Sequence, residues 1–503
     1  MYYLLLILAG FAWAAYCRFE NRKIIELSRK LPGDLTAWPL IGHAYLFRGN
    51  HEDQMRIFQK AGRLTINRGG VASYWIGSRL YIMIADPVTG ETVLKNCLEK
   101  DSVMKFLRFL FGYGSIYAPV PIWRPRRKIL APTFSMKNLN RFVDVFVEQS
   151  SVTLEQLRPR ASSGTFSMWY YLTTYTFDAV CETALGVKMN SQLQPSHPFL
   201  EALGEITQLT AARMVQPWLY SDWVYKTLPQ YKRVEKCRAL MYDFVEQVLK
   251  TKREAMKMNE GKPHSQSEAD LRPKSFLEML LDLNQFTDLE IMEEILVITA
   301  AGTDTSAVAA SFTMVLLSRY PEIQDKLTDE LLQVFGDSER AVTAVDLPRL
   351  RYLEAVIKES LRMYPPVPII VRSVDNDTEL PSGLVLVDGV GVLVNIWAMH
   401  RNPYYWGDDA DVFRPERFLE PLKHPAQFVP FSYGLRNCIG YQYAMMSIKT
   451  VLATLLRQYR VLPPGGADQS NLKEPLRVEF DIMMKDVDKF QIQIENRFKS
   501  SSS

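Results

Sequence analysis

One cysteine in this chain stands where its sulphur could do chemistry. Cys438 lies in the segment Phe431-Ser432-Tyr433-Gly434-Leu435-Arg436-Asn437-Cys438-Ile439-Gly440, with glycines on both sides and an arginine close by. Glycine permits unusual backbone angles and the close approach of a flat ligand. A loop that points amides at a sulphur stabilises its thiolate, and a helix start adds partial positive charge. Tyr441–Tyr459 has helical spacing, so Cys438 stands just ahead of a helix. The remaining cysteines, Cys17, Cys97, Cys181 and Cys237, are scattered; in the body of the chain they read as small buried hydrophobes. An odd, widely spaced set excludes a disulfide framework and any CxxC zinc or iron–sulphur pattern. It points to a reducing compartment in which one thiol acts alone.

Three other groupings carry charge into apolar sequence. Asp304 and Thr305 interrupt the run Ile295–Leu317, which is otherwise uncharged. Such a run is long enough to cross a bilayer, but Asp304 facing lipid would be costly, and polar residues continue the helix on both sides. A buried spine through a thick globule is the better reading, with the pair either satisfying itself or serving as proton donors. Glu359 and Arg362 share one helix face, either as a surface pair or as a buried one. Arg124-Pro125-Arg126-Arg127-Lys128 is a basic cluster, ordinarily a solvated face.

The elements around these groups follow from pattern. The chain has 503 residues, 47% of them apolar and 23% charged, with a net charge of +3. Collagen-like, low-complexity and wholly disordered classes are excluded, and no case for a nucleic-acid binder exists. Residues 1–17 carry no charged side chain and span about 25 Å as a helix. Arg18, Arg22, Lys23, Arg29 and Lys30 follow. A cleaved signal peptide would want its basic residues first, so an uncleaved single-pass anchor with a cytosolic body is expected. Residues 18–47 read as a basic linker and Pro/Gly hinge, 48–497 as the catalytic body and 498–503 as a disordered tail. Strands are expected at Val71–Ile76, Leu80–Ala85, Ile369–Ser373 and Val385–Asn395, helices over most of 86–365, and a mobile charged linker at Lys252–Lys274. The fold class is α+β, mostly helical.

The cysteine segment resembles the haem-binding loop of the cytochrome P-450 superfamily, Phe-x-x-Gly-x-Arg-x-Cys-x-Gly, at every fixed position. Four further segments resemble that family in order: Trp123-Arg124-Pro125-Arg126-Arg127, Ala301-Gly302-Thr303-Asp304-Thr305-Ser306, Glu359-Ser360-Leu361-Arg362 and Phe413-Arg414-Pro415-Glu416-Arg417-Phe418. The resemblance covers residues 32–497 and the anchor matches microsomal members. It implies haem b with Cys438 as its thiolate ligand, in a loop that also includes Phe431, Gly434 and Gly440. Arg436, Trp123, Arg127 and Arg372 would hold the propionates, and Asp304 and Thr305 would deliver protons. It also implies electrons from NADPH through NADPH-cytochrome P-450 reductase, with cytochrome b5 as a second donor, and the endoplasmic reticulum membrane as location. Part of the basic cluster would receive the donor. Glu359 and Arg362 would form a buried network with Arg417. Phe106, Phe109, Leu110, Phe111 and Tyr113, with Val367, Ile369, Ile370 and Val371, would wall a lipophilic substrate.

Cys181-Glu182-Thr183-Ala184-Leu185-Gly186-Val187-Lys188 resembles the animal clan containing the fatty-acid ω-hydroxylases, with arthropod members among them. Many of its members carry a glutamate that can bond haem where this chain has Ala301, so that ester link is not expected. The implied activity is monooxygenation of a fatty acid, hormone, odorant or xenobiotic. The alternatives are a haem-thiolate isomerase or dehydratase needing no electron donor, and a non-catalytic haem or lipid carrier.

Overall fold

The computed structural model describes residues 19–33, 36–38, 40–161, 163–259, 274–465 and 474–497. The expected anchor at 1–17, the linker portion 260–273 and the tail at 498–503 lie outside the described residues. The helices that bear on the site are α1 (Arg22–Lys30), α2 (His51–Asn67), α3 (Pro87–Asn96), α4 (Val120–Leu130), α5 (Met136–Leu157), α6 (Trp169–Val180), α7 (Pro198–Val215), α8 (Pro229–Asn259), α9 (Asp288–Arg319), α10 (Arg351–Met363) and α11 (Tyr441–Gln458). The strands are β1 (Val71–Ile76), β2 (Arg79–Ile84), β3 (Phe166–Ser167), β4 (Ile369–Ser373), β5 (Thr378–Glu379), β6 (Val385–Leu386), β7 (Gly391–Asn395), β8 (Tyr459–Leu462), β9 (Val478–Asp481), β10 (Met483–Asp486) and β11 (Gln491–Asn496). Helices dominate and the sheets are small, as the α+β reading expects.

The central helix α9 runs 32 residues. Thr287 caps it: its hydroxyl accepts from the Glu290 amide while the Glu290 carboxylate accepts from the Thr287 amide. That reciprocal bonding satisfies two otherwise orphaned donors. Of its most apolar stretch, 78% lies buried inside the protein, so the helix is a spine of the globule. The helix continues unbroken through Gly302, where a Cβ would meet Val180 Cγ2 of α6 at 2.9 Å. The glycine therefore serves close helix packing. At the far end Phe312 stacks on Tyr364 with centroids 4.8 Å apart, joining α9 to the end of α10.

The main sheet has the order β1-β2-β7-β4, with β2 and β7 parallel and the other pairs antiparallel. The single strand expected at Val385–Asn395 is two: β6 pairs with β5, Gly389 turns the chain at φ 88°, and β7 then enters the sheet fully buried. The expected linker begins too early, because α8 runs on to Asn259. Ahead of the sheet, Leu27 of α1 is buried and Trp75 Nε1 of β1 donates to Ser28 Oγ at 3.0 Å. Gly42 forms bridges to both Trp38 and Ile76. At its φ of 59° a Cβ would lie 2.3 Å from the Trp75 carbonyl oxygen, so only glycine fits.

Glu359 and Arg362 form a buried pair, both side chains at 0% exposure. Arg362 Nε and NH2 donate to the two carboxylate oxygens at 2.7 and 2.8 Å. The Arg414 amide donates to Glu359 at 2.8 Å, and Arg362 NH1 donates to the His400 and Ala410 carbonyls. Arg417 approaches Glu359 at 3.5 Å and donates to the Trp406 and Asp409 carbonyls. The surface alternative is excluded. This network fastens α10 to the chain that leads into the Cys438 loop.

Candidate active site

The loop before α11 is fixed by its backbone. The Cys438 amide donates to the Phe431 carbonyl at 2.8 Å, and Ser432 and Gly434 turn the chain at φ 64° and 73°. A Cβ at Gly434 would meet the Leu94 carbonyl oxygen of α3 at 2.7 Å. Gly440 is different: its φ of −88° is ordinary, and a Cβ there would come no nearer than 3.9 Å to Cys438 Sγ or Phe134. The chain needs glycine at 434; at 440 it leaves clearance beside the sulphur. Phe431 packs edge-on against Tyr441 at 4.6 Å. Cys97, Cys181 and Cys237 are buried, whereas the Cys438 thiol is open.

What Cys438 opens into is a cavity of about 350 Å³. Protein crowds its mouth, so burial pushes the thiol up, while the Gly440 amide and Arg127 pull it down. A bound metal cation would deprotonate such a thiol outright. Ala301, Gly302 and Thr305 of α9 line the cavity, with Val367 and Ile370. Thr305 Oγ1 donates to the Ala301 carbonyl at 2.6 Å. Asp304 does not line the cavity: its Oδ2 lies 3.9 Å from Lys485 Nζ of β10. Successive helix positions are about 100° apart, which separates the two side chains expected to act together.

The expected aromatic wall is also corrected. Phe106, Leu110 and Phe111 are buried in the core, Phe109 and Tyr113 face outward, and none of the five lines the cavity. Ser115 and Ile116, from the loop that follows, take that place, while Ile369 and Val371 lie outside the lining. The loop is held by Arg126. This arginine donates to the Tyr113 carbonyl at 2.8 Å, to Glu290 at 2.7 Å and to Glu294 at 3.1 Å. Glu294 in turn accepts from the Ser115 amide and hydroxyl at 3.1 and 2.8 Å. The basic cluster is thus split, with Arg124 and Lys128 exposed and Arg126 buried. Nothing in the sequence pattern separated Arg126 from its neighbours or singled out Glu294.

One edge of the cavity is cationic and unpaired. Arg436 donates to the Leu98 and Ala118 carbonyls and lies 4.7 Å over the ring of buried Trp123. Arg372 is 1% exposed, donates to the Val371 carbonyl and leaves its buried Nε without a partner. Lys100 joins them at the cavity wall. Among the described residues no carboxylate pairs with any of the three. Burial pulls Arg372 down to about 9 and Arg436 to about 10, and holds Lys100 well below its usual range. Desolvated cations with free donors suit a dianionic ligand edge, so this edge fits the two propionates of haem. Lys100 was not legible, since beside Glu99 and Asp101 it reads as a solvated charge. Arg127 lines the cavity too and reaches the loop, donating to the Asn437 carbonyl and side chain at 3.0 and 2.8 Å.

Residues 32–488 match the family model described as Cytochrome P-450. The chain is 34% identical to cytochrome P-450 4d2 of Drosophila melanogaster over 463 residues, 89% of this chain and 91% of that protein. It is 30% identical to cytochrome P-450 4V2 of Homo sapiens over 484 residues, 93% and 90% of the two chains. It is 32% identical to cytochrome P-450 4c21 of Blattella germanica over 477 residues, 91% and 92%.

Proposed function

The chain belongs to the cytochrome P-450 family, and as a monooxygenase of lipophilic substrates it carries haem and takes electrons from a redox partner; from that premise we propose its particular form. The haem is haem b with Cys438 as thiolate ligand. NADPH supplies the electrons through NADPH-cytochrome P-450 reductase, with cytochrome b5 as a second donor. Residues 1–17 anchor the body to the endoplasmic reticulum membrane on its cytosolic side, residues 18–47 form the hinge, and 48–497 form the catalytic body. The substrate is a small lipophile of fatty-acid, hormone, odorant or xenobiotic type. The observation that carries this reading is the open Cys438 sulphur at a cavity bounded by Thr305 and by the unpaired Lys100, Arg372 and Arg436.

When bound, haem supplies the oxygen and one-electron chemistry that no side chain can. Cys438 would hold the haem iron as its thiolate, a ligand whose electron donation suits that oxygen chemistry. Arg372, Arg436 and Lys100 would bind the propionates, and Trp123 backs Arg436 so that its fork keeps its orientation. Arg127 steadies the loop through Asn437 and favours the thiolate by its charge. Thr305 holds a proton at Oγ1 on the cavity wall. Val297, Ile298, Val367 and Ile370 keep the cavity apolar and exclude water from the reacting centre.

Replacing Cys438→Ser should abolish the thiolate band in the ferrous–CO absorption spectrum; an unchanged band refutes the ligand. Thr305→Ala should divert NADPH electrons to peroxide, and an unaltered partition would remove Thr305 from the proton path.

A further inference from the structure

A line of ionisable side chains runs from the surface to the central helix, on the face of α9 away from the cavity. His51 opens α2, and its Nδ1 lies 3.1 Å from Asp481 Oδ1 and 2.7 Å from the Phe480 carbonyl oxygen. Asp481 ends β9, and its Oδ2 lies 3.5 Å from Lys485 Nζ of β10. Lys485 Nζ lies 3.9 Å from Asp304 Oδ2. Side-chain exposure is 27% at His51, 0% at Asp481, 12% at Lys485 and 4% at Asp304. One end is wet and the other dry.

Two buried carboxylates and one ammonium leave one negative charge where water does not reach, an expensive arrangement. One further proton neutralises it. The surroundings do not cancel the charge. Glu479 of β9 adds to it, and Glu52 of α2 is engaged by Arg56 and Arg477. Asp486 of β10 accepts the Phe490 amide, and Arg213 of α7, a helix packed on β9, turns to Asp222. Trp169 lies 5.2 Å from Lys485 Nζ. The buried Asp304 Oδ2 and Asp481 Oδ2 have no hydrogen-bond partner among the described residues. Burial raises Asp304, the Asp481 bond raises His51, and Asp304 and Asp481 hold Lys485 up against its burial.

We propose that His51, Asp481 and Lys485 are the proton entry that serves Asp304, whose chain neighbour Thr305 lines the cavity. Lys485 gives an N–H proton to the Asp304 carboxylate. Its neutral amine recovers one through the Asp481 carboxylate, which takes it from protonated His51 and passes it on, and His51 is recharged from solvent. Once Asp304 passes its proton toward the cavity, the four groups are back in their starting charges; the net event is one proton moved inward, with no electron transferred. The proposal rests on the monooxygenase reading, because oxygen reduction is what consumes the protons.

The test uses the full-length haem enzyme with its reductase and no added substrate, scoring oxygen reduced to water against oxygen released as peroxide from pH 6 to 8.5. Lys485→Arg keeps the charge but does not release a proton, because guanidinium stays protonated. We expect Lys485→Arg and Lys485→Met to lower water formation by at least about tenfold, with the ferrous–CO band intact, and His51→Gln to flatten the pH profile. Lys485→Arg behaving as wild type would make the lysine a counter-ion only and overturn the proposal. Independently of haem, the 13C-histidine NMR titration of His51 should fall in Asp304→Asn and rise in Lys485→Met, each by about half a pH unit. A titration indifferent to both substitutions overturns the connection. A wild type without the ferrous–CO band would overturn the haem-thiolate reading itself, and with it the oxygen side of the proposal, whatever the titration shows.

Discussion

Two buried charge assemblies sit in this protein and are finished differently. Around Glu359 and Arg362 both carboxylate oxygens are taken, and the guanidinium also reaches the carbonyls of His400, Ala410 and Val412. Around Asp304 the contacts are longer, buried oxygens stay unpartnered, and one member opens to solvent. A closed network makes a fixed joint, since any displacement leaves a buried charge bare. An open one keeps capacity to take up or release a proton. The cationic edge at Lys100, Arg372 and Arg436 belongs with the second kind: donors are present and, among the described residues, no carboxylate pairs with them.

The strongest way to break this comparison is to cut the closed network. Arg362→Ala should cost about 3–5 kcal/mol in urea unfolding, enough to prevent accumulation of folded protein. A similar loss for Lys485→Met would erase the distinction. Next, Arg372→Met removes a charge-assisted contact worth about 1.5–3 kcal/mol. It should therefore weaken haem retention by roughly tenfold to a hundredfold in a haem-transfer assay, with little change in the urea midpoint of the haem-free protein. A smaller effect is expected in pH. The bond to Asp481 raises the folded-state value of His51 above 6.5. Its stabilising contribution is thus complete below the unfolded value and is lost as pH rises through the folded one. The Tm gap between wild type and His51→Gln should be widest near about pH 6 and should close at alkaline pH. The smallest effect belongs to the exposed Lys188–Glu148 pair, where Lys188→Ala should change stability by no more than about 0.5 kcal/mol.

Residues with strong local grammar were legible in the sequence. The all-round apolar α9 and the turn at Gly434 announce their environment within a few positions, whereas the Glu359–Arg362 spacing marks a shared helix face whose burial the structure decides. What local grammar does not carry is which way a side chain points. Asp304 and Thr305 are neighbours in sequence yet point about 100° apart on α9, one to Lys485 and the other to the cavity. Arg126 reads like Arg124 and Lys128 but is claimed by Glu290 and Glu294, which lie far along the chain. Lys100 and Lys485 owe their significance to partners from other elements, so no window around them reveals it. The aromatic run at 106–113 fails for a related reason: large apolar side chains fill core as readily as they line a cavity.

Gly42 has a mechanical corollary. Its backbone is clamped between Trp38 and the edge of β1, too tightly for any side chain to be accommodated. A pull on the leading end of the chain would therefore meet the Ser28–Trp75 contact, the Pro32–Ser73 backbone bond and this rivet, and would spread into the sheet. All of these contacts end on β1, so tugging or tilting at the N-terminal side would be passed to the main sheet.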